Sequence, residues 1–191
     1  MPFSEELRSS IFGAWRIAHL DADAMRHFNL SIDGFWRSFA AAPLTAPAFL
    51  LIAALTRAAP GDEAMAEPLG GYLLGRLLLF VVAWVAFPVV MIPVARLLNL
   101  SQTYVPFIIA WNWSQVLVVV VFLVASLLFA SGLLPVGAAT LVFMFAYVSV
   151  LFYQYLVTRL ALDCPPLMAV GVVALDLVLS LLINAGADRW L

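Results

Sequence analysis

VPFIIAWNWSQVLVVVVFLVASLLFA, residues 105–130, contains no charged side chain. Its amide side chains, Asn112 and Gln115, stand in an otherwise apolar sequence. A helix needs about 20 consecutive, mostly apolar residues to cross the hydrocarbon core of a bilayer. This stretch is long enough, so it predicts a transmembrane helix that carries polar side chains inside the membrane.

Four further apolar stretches occur along the chain, at roughly 38–58, 71–95, 134–160 and 166–186. Of the 191 residues, 65% are hydrophobic and 10% are charged, whereas soluble domains average about 25% charged residues. A water-soluble fold could not bury this much apolar surface. The sequence therefore predicts an all-α polytopic membrane protein, with five transmembrane helices in residues 38–191. We expect Pro93 to end the second helix, because proline interrupts helical hydrogen bonding.

Residues 1–37 are too few to form a hydrophobic core of their own. Within them, residues 4–20 show apolar positions at helical spacing: Leu7, Ile11, Trp15 and Ala18. We expect an amphipathic interfacial helix, with Trp15, Phe28, Phe35 and Trp36 dipping into the membrane and Arg37 at the interface. The alternative is that this apolar face packs on other parts of the protein.

The positions of the arginines predict the orientation, since cytoplasmic loops are enriched in basic residues. With a cytoplasmic N-terminus, the inner segments carry Arg8, Arg16, Arg26, Arg37, Arg96 and Arg159, and the outer side carries Arg57, Arg76 and Arg189. The acidic loop APGDEAMAEP (59–68) would then face outward. Together with the bacterial character of the composition, this predicts an inner (plasma) membrane protein with its C-terminus outside.

Several classes of function are not expected. The net charge is −2 and there is no basic run, which argues against nucleic-acid binding. We find no catalytic nucleophile–base pair, no metal-ligand cluster and no phosphate-binding glycine loop. The two histidines, His19 and His27, and the single Cys164 suggest no site. The sequence therefore predicts neither an enzyme nor a bound cofactor or metal.

Asp176 lies in VVALDLVLSLL (172–182), about ten residues from each end of the fifth apolar stretch. A carboxylate near the membrane midplane costs about 2.5–3.5 kcal/mol, so it needs a partner or a polar cavity. Gln115 lies at the same depth if a helix rises about 1.5 Å per residue. We predict an intramembrane polar cluster of Asp176, Gln115, Asn112 and Tyr147, without a salt bridge to Arg76. The cluster would either hold helices together or form a proton or substrate site.

Two segments, FNLSIDGFWRSFAAAPLTAPAF (28–49) and YVPFIIAWNWSQVL (104–117), are similar to those of the Yip1 family, specifically its bacterial branch. The layout of a short N-terminal segment, five helices and a short C-terminus also resembles that family. The resemblance implies a non-enzymatic membrane protein that organises protein partners or membrane shape. Its partners would be the lipid bilayer and other membrane proteins or further copies of the chain. The alternative is a small transporter or channel component that uses the cluster around Asp176.

Overall fold

The computed structural model describes residues 2–57 and 68–187, and every element in them is helical. The helices are α1 (Phe3–Ala18), α2 (Ile32–Ser38), α3 (Ala41–Arg57), α4 (Leu69–Leu97), α5 (Tyr104–Ala130), α6 (Val136–Leu162) and α7 (Pro166–Ala187). A single 3₁₀ turn, Ala24–His27, lies between α1 and α2. The predicted all-α fold is confirmed.

Five segments are long and apolar enough to cross a membrane: Ile32–Arg57, Leu69–Leu97, Tyr104–Ala130, Val136–Leu162 and Pro166–Gly186. The chain is therefore a multi-pass membrane protein, as its hydropathy predicts. The first span joins α2 to α3 through a short turn, so it includes the predicted domain boundary between residues 37 and 38.

The spanning helices close into a ring. Helix α3 packs against α4 and α5, α5 against α6, α6 against α7, and α7 against α4. The first half of α5 is the most enclosed part of the molecule, because α1 and α2 also pack on it. Its residues 107–114 are all buried. The ring leaves space between its helices, and this space holds the candidate site.

The prediction that Pro93 ends the second helix was wrong, because α4 continues to Leu97. Proline removes one hydrogen-bond donor, but neighbouring helices can compensate for this within a bundle. Met91, two residues before Pro93, and Ala95, two residues after it, are buried against the core. Packing of this last part of α4 therefore outweighs the missing backbone hydrogen bond.

Helix α1 packs on the protein through a face that combines polar and small residues with one large apolar side chain, Ile17: Glu6, Ser10, Gly13, Ala14 and Ile17. This face contacts α5 and α6, and the Tyr153 hydroxyl of α6 donates a hydrogen bond of 3.0 Å to the Ala14 carbonyl. Leu7 and Ile11 are only partly buried at its edge, whereas Trp15 is 54% exposed. The helix was predicted correctly, but its buried face is not the apolar stripe.

Phe28 does not dip into the membrane as predicted. It is buried in the core, and its ring lies so close to Gly13 that a Cβ atom there would come within 2.9 Å of it. Trp36 is 68% exposed and remains available to lipid. The 3₁₀ turn thus folds back on α1. The N-terminal segment packs on the protein through one side, while the side that carries Trp15 and Trp36 stays exposed.

Candidate functional site

Two adjoining cavities lie between the spanning helices, with volumes of about 280 Å³ and about 400 Å³. The first is bounded by α3, α4, α5 and α7, and the second by α5, α6 and α7. Both are lined by Gln115, Val118, Phe122, Asp176 and Ser180. Because they share these residues, the two cavities form one space, the chamber.

Asp176 is the only acidic residue that lines the chamber within the described part of the chain. Its side chain is half-buried, and it forms no ion pair with any described residue. The Trp111 indole N–H interacts with this carboxyl group, although it does not meet both the distance and the angle of a full hydrogen bond with any described residue. Because a carboxylate can accept several hydrogen bonds, the Asp176 carboxyl group remains available to a further polar group.

A second amide side chain, in addition to that of Gln115, lines the chamber from α6. Gln154 of α6 is buried, lines the larger cavity, and its Oε1 atom accepts no hydrogen bond within the described residues. Gln154 is absent from the predicted cluster, although a glutamine within an apolar helix is a recognisable signal. Gln115 and Gln154 therefore present two amide groups to the space that Asp176 faces.

Polar side chains also follow Asp176 along its own helix. Ser180 and Asn184 come at intervals of four residues, so the three lie on one face of α7, and all three line the larger cavity. The Asn184 side chain is exposed and donates a 2.8 Å hydrogen bond to the Ser180 carbonyl. A polar stripe thus runs from Asp176 toward the C-terminal end of α7.

Asn112 does not belong to this group, which corrects the predicted cluster. Its Oδ1 accepts a 2.9 Å hydrogen bond from the Trp84 indole, and its Nδ2 donates one of 2.8 Å to the Ser38 hydroxyl. It is fully buried and joins α2, α4 and α5. Residues three apart on a helix point about 60° apart, so Asn112 and Gln115 meet different neighbours.

The other predicted residues are placed as follows. Tyr147 lines the larger cavity and is partly exposed. Arg76 is half-buried on α4 and forms no ion pair with Asp176. The exposed Trp36 and the neighbouring Arg37 lie on α2, where the Arg37 guanidinium binds Glu6 at 2.9 Å. Trp15 and Trp36 are exposed, as expected for residues at a membrane interface.

Within residues 2–57 and 68–187, no three histidine, cysteine, aspartate or glutamate side chains come together in an arrangement that could hold a metal ion. No protein-family model, no curated protein and no solved structure matches the chain. The resemblance to the Yip1 family therefore rests on the quoted segments and the helix layout alone.

Proposed function

We propose that this multi-pass membrane protein is a small transporter or channel component, whose chamber binds a cation or a protonated solute at Asp176. The observation that carries the proposal is a carboxyl group that lines an intramembrane cavity and has no ion-pair partner among the described residues. Such a group costs about 2.5–3.5 kcal/mol and marks a functional site by default. Its position in the chamber supports this role better than a role in holding helices together.

The remaining lining supports a positively charged or hydrogen-bond-donating ligand. Among the described residues, no basic side chain lines either cavity, whereas Gln115 and Gln154 offer amide oxygens beside the carboxyl group. Amide oxygens and carboxylates are the ligands that hard cations prefer. The two cavities, of about 280 Å³ and about 400 Å³, have room for a hydrated cation or a small organic amine.

We further propose that the chamber is reached from the side opposite the N-terminal segment. The polar stripe of α7 leads toward the helix end Ala187, away from the end where α1 packs. By the distribution of arginines, that side would be the outside of a bacterial plasma membrane, with the N-terminus in the cytoplasm. Neither binding nor conduction of this kind requires covalent chemistry.

The proposal is tested with purified protein in liposomes, using Na⁺, K⁺ and H⁺ as probes and ion-sensitive dyes as the readout. We expect a measurable flux for at least one of them in the wild type, and a loss of about tenfold or more in Asp176→Asn, because the carboxylate that lines the chamber is removed. Asp163→Asn is the matched control. Asp163 is exposed in the α6–α7 turn and has a left-handed backbone (φ 48°) that asparagine also tolerates.

Two outcomes would contradict the proposal: no flux of any probe in the wild type, or equal flux in wild type and Asp176→Asn. A separate measurement excludes a purely structural role. Since Asp176 forms no ion pair with the described residues, Asp176→Leu should unfold at the same temperature as the wild type or higher. A clear loss of stability in that variant would instead support a role in helix association.

A second candidate is the Yip1-like function of organising membrane proteins or membrane shape. The observation in its favour is the outward side of the N-terminal segment, where Ile32 is 63% and Trp36 is 68% exposed. These residues are four apart on α2 and form one apolar face. A partner protein or a second copy of the chain could pack there.

This second candidate predicts that a specific membrane protein, or a second copy of the chain, co-purifies in mild detergent. The double variant Ile32→Ser, Trp36→Ser should lose it, whereas Asp176→Leu should retain it. A wild-type protein that purifies alone as a monomer would contradict an organising role. The two candidates are therefore distinguished by different residues and different measurements.

A further inference from the structure

We propose that a groove between α1, α5 and α6 binds one anionic phospholipid, with its phosphate at Arg8 and an acyl chain along α5 and α6. The groove shares Val118 and Val150 with the chamber wall, but Arg8 and Trp15, which carry this inference, line no part of the chamber. The occupant is identified by two features of the groove that adjoin each other: an apolar part and a basic end.

The apolar part is a cavity of about 460 Å³ beneath Trp15. Its wall is formed by valines and leucines of α5 between Val116 and Val121 and by Val150, Phe152 and Leu156 of α6. Phe152 and Val120 are also exposed on the outside of the bundle, so the cavity continues onto a surface that faces hydrocarbon. A hydrocarbon chain suits this lining, since nearly all of it is apolar.

The basic end is an adjoining cavity of about 660 Å³, lined by Arg8, Ser9, Phe12 and His27. It shares Ile11, Trp15 and Leu117 with the apolar part. The His27 ring packs edge-on against Phe12 with 5.0 Å between centroids, and the Ser9 hydroxyl donates to the His27 carbonyl at 2.7 Å. These contacts hold the 3₁₀ turn against α1 and place His27 beside Arg8.

Arg8 differs from the other arginines of the N-terminal segment. Arg16 pairs with Asp21, Arg26 with Asp23, and Arg37 with Glu6. Arg8 is exposed and forms no ion pair with any residue in the described part of the chain. It is thus the basic residue of this segment that is left to bind an external anion.

Neither feature alone would identify the occupant. A free phosphate would leave the apolar cavity empty, and a neutral hydrocarbon would leave Arg8 without a counter-ion. A phospholipid with a negatively charged headgroup satisfies both, and basic residues at a membrane surface attract such lipids. The exposed Trp15 side chain, which belongs to both cavities, would pack against the upper part of the acyl chain.

The test uses full-length protein reconstituted in an equimolar mixture of phosphatidylglycerol and phosphatidylcholine, then extracted in mild detergent. Lipids retained by the protein are quantified by native mass spectrometry. We expect wild-type protein to retain phosphatidylglycerol in preference to phosphatidylcholine. Arg8→Gln should reduce that retention about fivefold, which is the effect of one basic residue at a membrane surface. Arg8→Lys should restore most of it.

Arg26→Gln is the matched control, because Arg26 belongs to the same segment but pairs with Asp23 and lies outside both cavities. It should leave retention unchanged. Ser149→Phe, which fills the apolar cavity, should reduce retention of both lipids. The proposal is overturned if Arg8→Gln matches the wild type, if Arg26→Gln lowers retention equally, or if excess inorganic phosphate displaces the lipid as a simple competitor.

Discussion

Gly34→Ala is expected to lower the free energy of unfolding by about 3 kcal/mol, the upper end of the usual cost of overpacking. Gly34 lies in the first turn of α2, and a Cβ atom there would stand 1.9 Å from the Asn29 carbonyl oxygen. That carbonyl cannot move away easily. The Asn29 side chain accepts hydrogen bonds from the Ser31 hydroxyl (2.8 Å) and backbone N–H (3.3 Å), and Ser31 in turn caps α2 by accepting the Gly34 N–H at 3.1 Å.

The measurement is thermal or denaturant unfolding of the purified protein in micelles. Gly171→Ala in α7 is the matched control, because a Cβ there meets nothing within 4 Å. Alanine in a helix is favoured over glycine by about 0.8–1.0 kcal/mol, so this control should be as stable as the wild type or slightly more stable. If both variants behave alike, the close approach of Gly34 to Asn29 does not contribute to stability.

Arg37→Gln is expected to destabilise the protein by about 3 kcal/mol and to loosen α1 from the bundle. Arg37 binds Glu6 at 2.9 Å, and the Glu6 side chain is only 2% exposed. Removing one partner of a buried ion pair leaves an uncompensated charge, which costs about 3–5 kcal/mol. We take the lower end because the Arg37 side chain is 43% exposed. Limited proteolysis within residues 3–18 would report the release of α1.

Glu5→Gln is the control for this effect, since Glu5 is the exposed neighbour of Glu6 on the same helix. It should change neither stability nor proteolysis. The double variant Glu6→Gln, Arg37→Gln should recover part of the loss, because no charge then remains buried. An Arg37→Gln protein that keeps α1 protected would show that the small-residue face of the helix alone holds it in place.

The candidate site could be predicted in part. Counting residues from the helix ends places Asp176 and Gln115 at the same depth, and both line the chamber. Asn112 was assigned to the same group, yet its amide is occupied by Trp84 and Ser38. Depth follows from the rise of a helix and can be read from the sequence. The direction in which a side chain points among its neighbours depends on the rotation of each helix, which residue counting does not provide.

The same distinction applies to the N-terminal segment. Its helical spacing is visible in the sequence, but the buried face carries Glu6, small residues and Ile17, while Trp15 stays outside. In water, the hydrophobic effect would favour a helix that buries Trp15 and exposes Glu6. Where a helix lies against lipid, apolar side chains gain nothing by turning inward, and small residues allow closer packing of helices.

The sequence by itself therefore determined that this chain is a multi-pass membrane protein, and approximately where the five candidate spans of its described part lie. Partitioning into a bilayer depends on composition summed over about 20 neighbouring residues, which is a local property. Only the tertiary structure decided that the helices close into a ring. It also decided that Gln154 joins Asp176 at the chamber while Asn112 does not. Likewise, only the structure shows that Arg8 lies beside an apolar groove and forms no ion pair with any described residue. Those features depend on contacts between residues far apart in the chain, and the apolar pattern of a membrane helix specifies its depth but not its partners.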